Sequence, residues 1–242
     1  MIRFKGARWY KCDFHLHTPA SLCFKDKTVT PEQWVNRVKE LQLNCVAVTD
    51  HNTGEWIDKI KPIAQAEGIV LFPGVEITCD TSKIHLLIIF DTDKSTQDVN
   101  DFLIRCGINR EDFAKAEAHS MKTVLDIAKM ANADNAIVIP AHIDEYNGLG
   151  ICASKDVLEK LFSLEYVNAV QFVHKEYLQS GITVSNNDEL KACINQYYNY
   201  PRIEIGYEAI KNGYDSVVKA KQKNISLLTR SEERRVGKEC VM

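Results

Sequence analysis

Short apolar strands alternate with longer amphipathic segments along most of the chain. Cys12-Asp13-Phe14-His15-Leu16-His17 alternates apolar and polar residues in its middle and opens the series as a strand. Thr30 as N-cap and Pro31 at the first helical position then start a helix. Trp34, Val35, Val38 and Leu41 mark its apolar face. Residues 45–49 form a continuous apolar run, the pattern of a buried parallel strand. A helix is predicted over 55–67, closed by Gly68, with strands over 69–78 and 84–90. Two helical segments fill 96–131, and 136–140 is another buried strand. Strands at 169–173 and 225–228 and helices at 154–162 and 187–197 complete the prediction. Strand, helix, strand repeated in this way indicates a parallel α/β barrel or a doubly wound sheet. The barrel is favoured because the histidines fall at the C-terminal ends of different strands, where such barrels keep their working groups.

Composition narrows the class. The 242 residues are 45% hydrophobic and 26% charged, which excludes disorder, collagen and coiled coil as descriptions of the whole. A net charge of −3 is no footprint for bulk nucleic-acid binding, although it leaves room for a nucleic acid held through metal ions. The longest apolar run, 86–90, is far short of the roughly 20 residues of a membrane helix. The opening Met1-Ile2-Arg3-Phe4-Lys5 lacks the apolar stretch of a signal peptide, so a cytoplasmic protein is expected. Cys12, Cys23, Cys45, Cys79, Cys106, Cys152, Cys193 and Cys240 contain no C-x-x-C pair, and free thiols are expected. From Arg230 the composition shifts abruptly, with no apolar periodicity. The expectation is a domain over 1–229 and a non-native or disordered tail over 230–242, similar to a translated adapter or cloning-vector sequence. The natural chain would then continue past Thr229.

Of seven histidines, His15, His17, His51, His85 and His142 sit at predicted strand ends, joined by Glu76. Alternate residues of a strand point the same way, so His15 and His17 can aim at one ion. Imidazoles suit zinc, manganese or iron, and a carboxylate can bridge two ions. Asp50 and Asp13 are candidates to orient these ligands. His119 falls in a predicted helix and takes a structural role, while His174 is a candidate for substrate binding. Trp9, Trp34 and Trp56 are read as packing residues, and Arg8, Lys25 and Lys27 as surface cations able to neutralise phosphate.

Five stretches in order carry a resemblance: Asp13-Phe14-His15-Leu16-His17-Thr18-Pro19-Ala20-Ser21, Thr49-Asp50-His51-Asn52-Thr53, Pro73-Gly74-Val75-Glu76, His85-Leu86-Leu87 and Pro140-Ala141-His142. Together they resemble the successive motifs of the PHP (polymerase and histidinol phosphatase) superfamily. The opening 6–11 is similar to a subgroup whose PHP domain precedes an AAA-like ATPase, the TrlF-type proteins. The resemblance implies a distorted (β/α)7 TIM-like barrel with two or three divalent ions that hydrolyses phosphoesters with a metal-activated water. It implies one ion on His15, His17 and Glu76, and a second on Glu76, His85 and His142. A third would take His51 and a residue shortly after the H-x-H, where this chain offers Leu22 and Cys23. The late D-x-H of the family is missing after the strand at 225–229, and truncation accounts for it.

The expected activity is that of a metal-dependent phosphatase or nuclease, with Glu76, His15, His17 and Asp50 as its catalytic groups. The resemblance alternatively implies a catalytically weakened metal-binding regulatory module attached to an AAA-like ATPase. No P-loop or dinucleotide fingerprint is present, so the ATPase would lie outside these residues. A metal-dependent amidohydrolase is disfavoured because no Lys stands at a matching strand end. With His51 and Cys23 as its sole protein ligands, a third ion is expected to be absent or sub-stoichiometric.

Overall fold

The structure is a computed structural model that describes residues 9–178 and 207–229. The predicted helix at 187–197, the tail from 230, Arg8, Cys193 and Cys240 lie outside the described residues. Strand β1 (Cys12–Leu16) pairs parallel with β2 (Cys45–Val48), and β2 pairs parallel with β3 (Val70–Thr78). β4 (His85–Ile89) is antiparallel to both β3 and β5 (Ile137–Pro140). β6 (Ala169–Phe172) and β7 (Ser226–Thr229) form a separate parallel pair. The amide of Ile143, just beyond β5, donates to the carbonyl of Gln171 in β6 at 2.9 Å and links the two sheets.

Helices α1 (Pro31–Glu40), α2 (Ile57–Ala66), α3 (Thr96–Arg105), α4 (Val124–Ala133), α5 (Leu149–Cys152) and α6 (Lys155–Leu161) follow their strands. Thr30 caps α1 through a reciprocal box with Gln33, and Gly68, at φ 70, follows α2 as expected. A further helix, Tyr207–Gln222, was not predicted. Tyr207, Ile210, Tyr214, Val217 and Val218 recur in it at helical spacing, so the signal stands in the sequence.

The barrel expectation holds, and the packing shows how. A small inner cluster takes Phe14 from β1, Ala47 from β2, Phe72 from β3, Leu87 and Ile89 from β4, Ile139 from β5, Ala169 from β6 and Leu228 from β7. Every strand therefore contributes to one interior. The opposite faces of the strands pack with the helices in a larger outer cluster that includes Val46, Val48, Val75, Ile77, Leu86, Ile88, Val170 and Phe172.

Three corrections to the predicted elements have local causes. The all-parallel expectation fails at β4, because the link from Thr78 to His85 closes as a tight turn. Cys79 N–H donates to the Ile84 carbonyl at 2.8 Å, and Lys83 adopts φ 59. Such a link is far too short for a crossover helix. Residues 106–123 are largely irregular between α3 and α4, so His119 lies in a loop, its Nδ1 2.8 Å from Lys83 Nζ. Cys12 and Cys45 are not free thiols, since register sets them opposite each other on β1 and β2 and they are disulfide bonded. Cys79 and Cys106 are buried, where desolvation pushes both thiols up, Cys106 to about 12. Among the described residues no helix is long and apolar enough to cross a membrane.

The tryptophans divide. Trp34 is fully buried and Trp56 is buried, but Trp9 is 94% exposed, against the expected packing role. Trp34 also reaches the rim of the barrel, where its Nε1–H donates to the carbonyl of His17 at 2.9 Å. Trp34→Phe should therefore cost about 1–3 kcal/mol, the usual penalty for a buried polar group that loses its partner. Urea unfolding measures this, and an unchanged midpoint at unchanged slope would contradict it.

Candidate metal centre

Inner-facing residues alternate along each strand, so the parity that fills the barrel also sets which residues reach its rim. On β3 this parity runs Phe72, Gly74, Glu76. On the reversed β4 it runs Ile89, Leu87, His85, so a residue at the start of β4 arrives where the parallel strands end. On β6 it runs Ala169, Gln171. β1 departs from alternation. Asp13 is opposite Val46 and Leu16 opposite Val48, so three steps on β1 match two on β2. This irregularity lets Phe14 face the interior while His15 still turns inward above it.

Five imidazoles converge on the buried carboxylate of Glu76. His15 Nε2, His17 Nε2 and His51 Nδ1 lie 2.8, 3.3 and 3.5 Å from its Oε2. His85 Nδ1 and His142 Nε2 each lie 3.0 Å from its Oε1. Burial alone would raise the Glu76 carboxyl, but His15, His51, His85 and the bond from His142 hold it well below the usual carboxylate range. His51 is fixed to Glu76 by an isolated bridge between β2's extension and β3.

The other expected residues are placed as follows. Asp50 is buried, and both its oxygens accept from Thr18, from the amide at 2.6 Å and the hydroxyl at 2.5 Å. Its Oδ1 is 3.9 Å from His17 Nδ1, so it holds the loop after the H-x-H from below. Burial pushes its carboxyl up to about 7 against the opposing bonds from Thr18 and Ser21 and the charge of Lys27. Asp13 accepts from the amide of His15 at 3.1 Å. Leu22 is 57% exposed, whereas Cys23 joins His17 and His51, their candidate ligand atoms all within 4.8 Å. Two overlapping groups, His15 with His17 and Glu76, and His51 with Glu76 and His85, meet the same limit. His17 thus adds a third donor to the pair expected around His51. His174 stays outside the Glu76 cluster, its Nε2 2.9 Å from Glu145 Oε1 and its amide bonded to Asp144. Lys27 Nζ donates to the carbonyls of Pro19 and Ser21.

Three contributors escaped the sequence reading. Ser21 Oγ accepts from the amide of His51 at 2.8 Å and lies 3.3 Å from His17 Nδ1. The carbonyl of Asn147 accepts from the His85 amide at 2.9 Å. Gln171 Oε1 lies 2.7 Å from His15 Nδ1. Gln171 carried the one available signal, a polar residue inside an otherwise apolar buried strand.

Comparison with known proteins bears on this cluster. A family model described as the PHP domain matches residues 13–224. A 5'-3' exoribonuclease of Haemophilus influenzae is 29% identical over 153 residues, 52% of this chain and 54% of that protein. The 5'-3' exoribonuclease Rnm of Escherichia coli is 35% identical over 79 residues, 31% of this chain and 26% of its own length. The match thus spans about half of the first relative and about a quarter of the second. A lesion-specific endonuclease from Pyrococcus furiosus superposes with a TM-score of 0.53 at 18% identity, covering 67% of this chain and 41% of that one, and so shares the fold.

His142 sits in a turn with no spare room. A Cβ on Gly148 would lie 2.2 Å from the His142 carbonyl oxygen and 2.6 Å from that of Glu145. Both are backbone atoms, so Gly148→Ala must push the 142–148 turn apart. The expected cost is about 1–3 kcal/mol of stability, as for other overpacked sites. Thermal unfolding tests this, and an unshifted transition would show that the turn relaxes freely.

Proposed function

Because the chain belongs to the PHP domain family, we propose that it is a metal-dependent phosphoesterase acting on nucleic-acid phosphodiesters, RNA foremost. The observation that carries this reading is the crowding at Glu76. Five ring nitrogens lie within 3.5 Å of its oxygens. A carboxylate has roughly four lone-pair directions for hydrogen bonds, so hydrogen bonding alone leaves the set oversubscribed. Nitrogen and oxygen donors in this number fit divalent ions of the zinc, manganese or iron class. His15, His17, His51, Glu76, His85 and His142 would hold them, with Glu76 shared.

Bound ions of this kind activate a water for attack and neutralise the charge of a phosphoryl group. The chain's own residues orient and enclose that chemistry. Asp50 and Ser21 hold the Thr18–Ser21 loop against His17 and His51. The burial of His15, Glu76, His85 and His142 keeps their donor atoms out of bulk water, which strengthens the electrostatic interactions they make. The exoribonuclease relatives support RNA as substrate, and the net charge of −3 supports capture through ions rather than through a basic surface.

The group of His17, Cys23 and His51 supports a third, weaker site, since His17 Nε2 already lies 3.3 Å from Glu76. In this reading residues 1–229 carry the activity and 230–242 add nothing to it. Every proposed ligand lies between residues 15 and 142.

Elemental analysis after dialysis should find two tightly held ions and a third at sub-stoichiometric occupancy. Three tight ions would refute the weaker third site. Turnover of 5'-labelled RNA, a generic phosphodiester and a phosphomonoester should appear with metal and vanish with chelator. Glu76→Gln should strip the tight metal and lower turnover by more than the roughly 10–100-fold expected of an outer partner. Tight metal without turnover on any of the three substrates would overturn the phosphoesterase reading in favour of a regulatory module.

A further inference from the structure

We infer that Gln171 is a positioning residue that fixes His15 in the ring form able to bind a metal through Nε2 and seats His142 beside it. The inference rests on the metal-holding role proposed for the Glu76 cluster. Gln171 is buried on the inner parity of β6, directly above Ala169. Its Oε1 lies 3.2 Å from the backbone nitrogen of His142 and 2.7 Å from His15 Nδ1. A backbone N–H can only donate, so the atom it meets must be the amide oxygen, which fixes the orientation of the side chain. An oxygen that accepts from His15 requires Nδ1 to carry the hydrogen. In a neutral ring the lone pair then sits on Nε2, the nitrogen 2.8 Å from Glu76 Oε2. Two acceptors facing each other at that distance need a proton or a metal ion between them, and the metal-holding role proposed for the cluster supplies the ion. The far-side bond from Nδ1–H to an oxygen is the support that metal-binding imidazoles ordinarily receive.

The same residue acts on the second ligand. His142 has φ 30, a backbone conformation that residues with a Cβ avoid. It is held there from one side by Gln171 Oε1 on its own amide and by the Gln171 carbonyl on the amide of Ile143 at 2.9 Å. One residue of β6 thereby ties a ligand from β1 to a ligand from the end of β5, across the junction of the two sheets.

The test compares Gln171→Met, which keeps length but offers no comparable acceptor, with Gln171→Glu, which keeps an acceptor oxygen. Zinc affinity of the full chain is measured by competition with a chromophoric chelator. Gln171→Met should weaken the tightest zinc by about 10–100-fold, while Gln171→Glu stays within about threefold of the parent. Nitrogen NMR of the zinc-loaded parent should show His15 protonated at Nδ1, a signature that simple core filling by Gln171 would not impose. Should Gln171→Met fail to fold, Gln171→Asn, whose oxygen falls one methylene short, takes its place in the same comparison. Parent-like affinity in the acceptor-deficient variant, or equal weakening in the Glu variant, overturns the inference. A parent chain that binds no zinc overturns the metal reading instead, so the two failures are distinguishable.

Discussion

The carboxylate of Glu76 is the constraint around which the described structure is arranged. Taking a carboxylate out of water costs several kcal/mol unless charge and hydrogen bonds compensate it. Here the compensation comes from five rings on four segments, His15 near the end of β1 and His17 just beyond it sharing one of them. Rings from so many places meet at one point because the strands curl around one interior and bring their ends together. The local departures from regularity fall where this demand is hardest to meet. The irregular register of β1 turns His15 inward, the reversal of β4 brings His85 to the rim, and the left-handed backbone at His142 turns its ring back from beyond β5.

Below that rim the barrel is a different material. The inner cluster sets Ala47, Ala141 and Ala169 between Phe14, Phe72, Leu87, Ile89, Ile139 and Leu228. Gly74 belongs to the same economy, because a Cβ there would lie 2.9 Å from the Ile88 carbonyl oxygen. The bulk of the buried apolar volume lies outside, between strands and helices, where Trp34, Phe102, Phe172 and the branched residues pack. Stability is thus drawn mainly from the outer layer, and the narrow interior supports polar groups on inner-parity positions. Trp34 couples the layers, being buried in the outer one while bonded to the backbone of His17 at the rim.

That division explains what was legible in the chain. Outer-face periodicity and helix caps are local signals, so α1 with Thr30 and Gln33, the apolar β2 and the end of α2 at Gly68 were readable directly. The histidines and Glu76 were readable because ionisable groups stand out at the ends of apolar runs. The direction of β4 was not, since an apolar run looks alike in both senses and the turn at 79–84 lacks glycine and proline. The pairing of Cys12 with Cys45 is a matter of register between strands 33 residues apart, which spacing does not encode. Ser21 and Gln171 matter through what they touch across the rim, and His119 left its predicted helix because 106–123 carries loop contacts that periodicity does not register.

The same geometry bears on how a phosphate would be received. Lys27, a cation close in sequence to the H-x-H, spends its ammonium on the carbonyls of Pro19 and Ser21 and on the field at Asp50. It therefore stiffens the loop that carries Thr18 and Ser21. Asp50 in turn spends both oxygens on Thr18, so the loop is clasped from both sides. The charges of Lys27 and Asp50 are thus committed to internal order. On the proposed reading, ions at the Glu76 cluster supply attraction for an anionic substrate, and its strength follows from how firmly the rim holds the five rings in place. Positioning groups such as Gln171, Ser21 and Asp50 then govern affinity for substrate without touching it, because they set the geometry of the groups that do.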